Sequence, residues 1–135
     1  MAPDEVLKKH GLKATAARTA VLAAIAKSKA PLSVQAVVEK LRGTADQATV
    51  YRALQTFSEK GIVRRVDLGQ GHATFEIDGA THHHHLVCIS CGAVEDVEDC
   101  DADAFAAQAL KRSKSFSRVS RHSLELFGEC KDCAK

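Results

Sequence analysis

The hydrophobic positions of the first half repeat at helical spacing. A short charged helix is predicted at Glu5–His10, ended by Gly11. Thr15 can cap a second helix with Val21, Leu22 and Ile25 on one side, and it stops before Pro31, which disfavours helix in its predecessor. Ser33 can cap a third with Val37, Val38 and Leu41 inward, ended by Gly43. A fourth runs from Asp46 to Lys60 with Gly61 beyond it; Val50, Leu54 and Phe57 share its buried face, and Thr49, Tyr51, Arg52, Gln55 and Thr56 fall outside or at the margins. Two strands follow, Val63–Leu68 and His72–Ile77, turned by Gly69-Gln70-Gly71.

Three helices and a hairpin in that order predict a winged helix-turn-helix, with the fourth helix as the one to enter a major groove. The same arrangement also serves as a plain protein-interaction module. The pattern changes at Asp78–Ala80. Beyond it, strands are predicted at Leu86–Ile89 and Ala93–Val97, a helix from about Asp101 (its cap) to Lys111, and a last strand through Val119–Phe127. The fold class is therefore α+β, with a winged-helix domain at 1–78 and a small α/β domain at 79–135.

Charge divides at nearly the same place. Residues 1–66 carry twelve Lys/Arg against five Asp/Glu, and residues 67–135 carry seven against twelve, within a formal net charge of +2. A basic half suits a polyanion such as nucleic acid, and an acidic, histidine-rich half suits cations; two solvated faces of opposite sign are the plainer explanation. No apolar run is long enough for a membrane span, and the N-terminus lacks the segments of a signal peptide, so a cytoplasmic protein is expected.

Four of the five cysteines form two C-x-x-C pairs, Cys88/Cys91 followed by Gly92, and Cys130/Cys133. Each such turn can present two thiolates to one metal, and two turns complete a tetrahedral structural zinc site with no open position for catalysis. A redox pair would need a thioredoxin-like strand–helix context, which this sequence lacks. Cys100 stands alone: an ordinary half-buried thiol is expected, with an extra ligand or a redox switch as the alternatives.

His82-His83-His84-His85 precede Cys88. In an extended segment alternate residues share a face, so His83 and His85 point one way and His82 and His84 the other. That suggests two separate metal sites, each needing carboxylates from elsewhere. Glu76, Asp96 and Asp103 are available, and His122, in phase with Leu124 and Leu126, should point inward on the last strand. The acidic stretch 95–103 taken alone is a solvated helix entry.

On these residues the chain resembles the ferric uptake regulator family of bacterial metal-sensing repressors. The matching segments are Gly11-Leu12-Lys13, Ala48-Thr49-Val50-Tyr51-Arg52 with Leu54, Phe75-Glu76, His82–Leu86 with Cys88-x-x-Cys91-Gly92, His122-Ser123-Leu124 and Gly128-x-Cys130. The resemblance implies a homodimer that binds AT-rich palindromic operators in double-stranded DNA, usually with metal, and usually represses. It places Tyr51 and Arg52 at bases and phosphates, with Thr49 and Arg18 beside them and Lys13 toward the minor groove. It implies structural zinc on Cys88, Cys91, Cys130 and Cys133. It also implies a regulatory hinge site of Glu76, His83, His85 and Asp96, and an additional site of His82, His84, Asp103 and His122.

Departures from the pattern bear on the metal. Ala30-Pro31-Leu32 lacks the histidine that often completes the hinge site, with His72 or His10 as conceivable substitutes. His84 replaces an aspartate common in iron-type members, which favours zinc there, yet no cysteine lies near Asp78 as in zinc-sensing members. Fe2+, Zn2+ and Mn2+ all stay open as the regulatory ion. No enzyme, membrane or small organic substrate is implied. A zinc hydrolase has no cleft motif in its support, and a metal-storage module that never binds DNA is the other rival.

Overall fold

The computed structural model describes residues 2–79, 84–98 and 100–134. The chain divides into two compact units, Met1–Ala80 and Thr81–Lys135.

The first unit contains α1 (Pro3–Lys9), α2 (Ala16–Lys27), β1 (Leu32–Ser33), α3 (Val34–Lys40), α4 (Gln47–Glu59), β2 (Val63–Val66) and β3 (Thr74–Ile77). α2, α3 and α4 start where the sequence offers a side-chain oxygen to the free N–H groups of the first turn, and α1 starts at Pro3, which has no N–H to satisfy. Thr15 Oγ1 accepts from Arg18 N–H, Ser33 Oγ from Ala36 N–H, and Asp46 Oδ1 from Thr49 N–H at 2.8 Å. Gly61, at φ +75°, supplies the left-handed turn after α4. Leu7, Val21, Leu22, Ile25, Val37, Val50, Leu54, Phe57, Ile62, Val63 and Phe75 form one core, most of them wholly removed from water. The helices are held by this shared apolar interior rather than by their own propensity.

The hairpin is shorter than the pattern predicts. β2 and β3 pair antiparallel from Val63↔Ile77 to Val66↔Thr74, and residues 67–73 form the loop. The chain leaves the ladder because Asp67 Oδ1 takes the Gly69 N–H and Leu68 turns into the interior, with Gly69 and Gly71 at positive φ. A third strand that the pattern did not predict, β1, pairs with β3 through Leu32↔Phe75 and Ser33↔Thr74, giving the order β1-β3-β2. Two residues are too few to carry a periodicity.

The second unit contains β4 (His84–Cys88), β5 (Val94–Val97), α5 (Ala102–Arg112) and β6 (Glu125–Gly128). β4 is central: β5 joins it antiparallel and β6 parallel. Asp101 occupies the position before α5, but its side chain does not cap the helix; its φ and ψ (−96°, 35°) are outside the extended geometry that aims a capping carboxylate at the first turn. The last strand begins at Glu125, not Val119. β6 pairs with β4 only from His85↔Glu125 through Cys88↔Gly128, and residues 119–124 have no ladder partner among the described residues. His122 is consequently off the strand and not buried.

This unit leaves large apolar side chains in water: Phe105, Phe116, Leu124, Leu126 and Phe127 are all exposed, and α5 has no buried residue. Leu86 and Leu126, opposite each other in register, share one exposed face of the sheet. Among the described residues, no helix is long and apolar enough to cross a membrane.

Candidate metal centres and nucleic-acid interface

The parallel pairing of β4 and β6 assembles the four-cysteine cluster. Gly128 lies opposite Cys88, and Ile89 N–H donates to Gly128 C=O, so the chain two residues later brings Cys130 N–H to the Cys88 sulfur at 3.4 Å. The first knuckle closes through Gly92 N–H to Cys88 C=O, with Gly92 at φ +80°; the second closes through Cys133 N–H to Cys130 C=O. All four sulfurs lie within 4.8 Å of one another, and Cys91 and Cys130 are 3.8 Å apart. Zinc–sulfur bonds of about 2.3 Å in a tetrahedron require sulfur spacings of about 3.8 Å, so the donors fit structural zinc.

Backbone N–H groups of Cys130, Cys91 and Ser90 favour the thiolate of Cys88 and depress its pKa to about 6. Cys133, hydrogen-bonded among Cys130, Cys88 and Cys91, is pushed up to about 12. Cys91 is also raised: the Ala93 N–H favours its thiolate, but Cys88 and Cys130 outweigh that. Without metal the cluster keeps protons that zinc must expel.

The histidines of β4 alternate in face. His85 is fully buried, and its register partners Asp96 and Glu125 flank it. Its Nδ1–H donates to Glu125 Oε2 at 2.8 Å, and the same oxygen accepts the His85 backbone N–H at 3.2 Å. Nε2 is thereby aimed toward Asp96 Oδ1, 3.7 Å away. That is too long for a hydrogen bond, but close to the roughly 3.4 Å edge that two ligands at about 2.1 Å span in a tetrahedron. Glu125 was not singled out from the sequence; its signal lies in the parallel register alone.

On the opposite face His84 is buried, and its Nε2 lies 3.0 Å from His122 Nε2 and 2.9 Å from Cys100 Sγ. Asp103, in the first turn of α5, is exposed and does not join this group; Cys100 does. His82 and His83 lie outside the described residues. Glu76 is on β3 opposite Arg64, whose Nε donates to Glu76 Oε1 at 2.6 Å in an ion pair. Of the conceivable substitutes, His10 bonds through Nδ1 to the Val6 carbonyl and His72 is exposed. Pro31 is buried beside β1.

In the first unit Arg18, Thr49, Arg52, Gln55 and Thr56 line one open groove where the start of α2 meets α4. Arg18 Nη1 donates to the Lys13 carbonyl at 3.1 Å, placing exposed Lys13 beside this groove, and Tyr51 is 56% exposed. The capping carboxyl of Asp46 is held below its ordinary range by its hydrogen bonds with Thr49. A helix edge with guanidinium, hydroxyl, amide and phenol groups can contact phosphates and base edges.

The ferric uptake regulator family model matches residues 9–127. The chain is 34% identical over 137 residues to the ferric uptake regulation protein of Legionella pneumophila, covering 98% of this chain and 99% of that one. Its structure is similar to the ferric uptake regulator of Francisella tularensis with iron (TM-score 0.78, 29% identity, covering 93% of this chain and 96% of that one). It is also similar to that of Pseudomonas aeruginosa with manganese (TM-score 0.73, 30% identity, covering 97% and 99%). With the family model spanning both units and a relative matched over nearly its whole length, the chain belongs to the ferric uptake regulator family of metal-responsive transcriptional regulators.

Proposed function

We propose that the chain is a cytoplasmic repressor that binds AT-rich palindromic operators as a homodimer and does so in response to a divalent metal. The observation that carries the reading is the joining, in one chain, of a groove formed by Arg18, Thr49 and Arg52 on a winged-helix unit with imidazole, carboxylate and thiol clusters on the other. A storage module needs the second and has no use for the first.

In this reading Lys13, Arg18, Thr49, Tyr51 and Arg52 meet DNA, and structural zinc on the four cysteines stabilises the second unit. The exposed apolar side chains of that unit are covered by a second copy, which gives two recognition helices for two half-sites. The regulatory ion is Fe2+, Zn2+ or Mn2+, held by Glu76, His83, His85 and Asp96. The ion favours the DNA-competent form by its higher affinity for that form.

Glu76→Gln keeps an acceptor for Arg64 and removes the anionic ligand. Operator binding, followed by fluorescence anisotropy on an AT-rich palindrome, should be metal-dependent in the wild type and steeply salt-dependent. In the variant it should lose its metal dependence. A wild-type chain with no duplex affinity under any metal condition overturns the function. A variant with unchanged metal dependence overturns the role of Glu76.

A further inference from the structure

We infer that His84, Cys100 and His122 form a thiolate-containing metal site selective for zinc over manganese. It rests on the metal-responsive reading only for its biological use; the site itself is argued from donor geometry and chemistry.

The three residues come from separate places: the first residue of β4, the segment between β5 and α5, and the segment before β6. Their donor atoms nevertheless close a triangle. His84 Nε2 is 2.9 Å from Cys100 Sγ and 3.0 Å from His122 Nε2, and Cys100 Sγ is 3.6 Å from His122 Nε2. A proton shared along a hydrogen bond serves one edge of such a triangle. A cation near its centre serves all three. Zinc at about 2.05 Å from nitrogen and about 2.3 Å from sulfur has tetrahedral edges of about 3.3 Å (N–N) and 3.6 Å (N–S). The Cys100–His122 edge already fits, the N–N edge needs to open by about 0.3 Å, and the His84–Cys100 edge by about 0.7 Å, within reach of a small turn of the Cys100 side chain.

The family resemblance implies an oxygen donor, Asp103, for this site. The fold brings a sulfur instead, and that changes the ion. Imidazole and thiolate suit zinc, whereas manganese prefers carboxylate, carbonyl and water. Three protein ligands leave one tetrahedral position for water or a fourth side chain. Cys100 is thereby assigned as a ligand, and the two histidines share their site with a thiol rather than with Asp103.

The test uses the full chain carrying one zinc per protomer on its four cysteines, titrated with Co2+ as a spectroscopic stand-in for zinc. The wild type should bind a further equivalent with sulfur-to-cobalt charge-transfer absorption, and the original zinc should be retained after gel filtration. Added Zn2+ should bleach the band and excess Mn2+ should not. Cys100→Ser should abolish the band and weaken zinc at this site at least about 100-fold, since loss of an outer-shell partner alone costs about 10–100-fold. Asp103→Ala should keep the band. Circular dichroism and retention of the first zinc establish that Cys100→Ser is folded; His122→Ala, which leaves the thiol in place, should independently weaken the site. No further cobalt binding, binding without a sulfur band, or a band that persists in Cys100→Ser overturns the proposal. A chain that shows the band yet ignores operator DNA overturns the repressor reading and leaves this site standing.

Discussion

Removing the carboxylate of Glu125 is the sharpest test of the proposed role of His85 as a ligand of the regulatory ion. Glu125 Oε2 accepts from both Nδ1 and the backbone N–H of His85, a residue with no exposed surface. A carboxylate can only accept, so Nδ1 carries the proton, and Nε2, on the side of Asp96, is the nitrogen left to ligate a metal. Glu125→Ala therefore strands a buried N–H donor, at a cost of about 1–3 kcal/mol. It also frees the ring to choose the other tautomer or rotate, which should weaken metal at His85 by about 10–100-fold. Glu125→Gln keeps a carbonyl acceptor and should lose less on both counts. Thermal unfolding reads the first effect, and competition titration of the regulatory metal in protein with its four cysteines zinc-filled reads the second. Glu125→Ala with wild-type stability and wild-type metal affinity would refute the orienting role. A stability loss with unchanged affinity would show that the pair is structural and that His85 does not ligate.

Further outcomes follow from the reader unit and the thiol cluster. Arg52→Ala should weaken operator binding, and if Arg52 holds a phosphate, the slope of log affinity against log salt should shrink by about one; anisotropy at several salt concentrations measures it. Asp46→Ala removes the cap of α4 and should lower the melting temperature, whereas Asp46→Asn should retain most of it. Because the Asp46 pKa is depressed from 3.8 in the fold, its contribution is complete above that value and lost as pH falls below it. Helicity by circular dichroism should therefore drop more on acidification in the wild type than in Asp46→Asn. In metal-free protein the depressed pKa of Cys88 contributes stability that grows from about pH 6 to its ordinary value of 9.0 and vanishes as pH falls through about 6. Zinc must also displace the protons that Cys91 and Cys133 retain, so zinc affinity in a chelator competition should fall continuously as pH is lowered; a pH-independent affinity would contradict this account.

What the sequence made legible was local. Thr15 and Ser33 cap their helices as predicted, and α4 starts beside Asp46 where its start was placed, because capping depends on three or four adjacent residues. The buried positions of α4 follow from spacing alone. The C-x-x-C turns are self-contained, so their pairing into one cluster could be expected before the fold was known. The misses are non-local. β1 exists only because β3 offers it an edge. The predicted strand at 119–124 fails for the converse reason: Leu124 and Leu126 alternate correctly, but alternation does not provide a ladder partner. Glu125 was not singled out, and Cys100 was expected as an ordinary thiol with a ligand role only as an alternative, because their meetings with His85 and His84 depend on sheet order and on the parallel sense of β6, neither of which a period of two reveals.

That parallel pairing links the chemistry of the second unit. One five-residue strand presents His84 to one face, His85 to the other, and Cys88 at its end. β6, running beside it, supplies Glu125 to His85 and leads into Cys130 two residues after Gly128. Zinc on the four cysteines therefore does more than close a loop. By tying Cys130 to Cys88 it pins the register of β6 on β4, and a slip of one residue would move the Glu125 carboxylate to the opposite face and put an apolar neighbour beside a buried imidazole. A zinc ion there would hold, from three residues away along β4, the register in which Glu125 orients His85. Stripping zinc from the thiols should therefore weaken metal binding at His85, and an affinity at His85 that is the same in zinc-filled and zinc-free protein would refute this link.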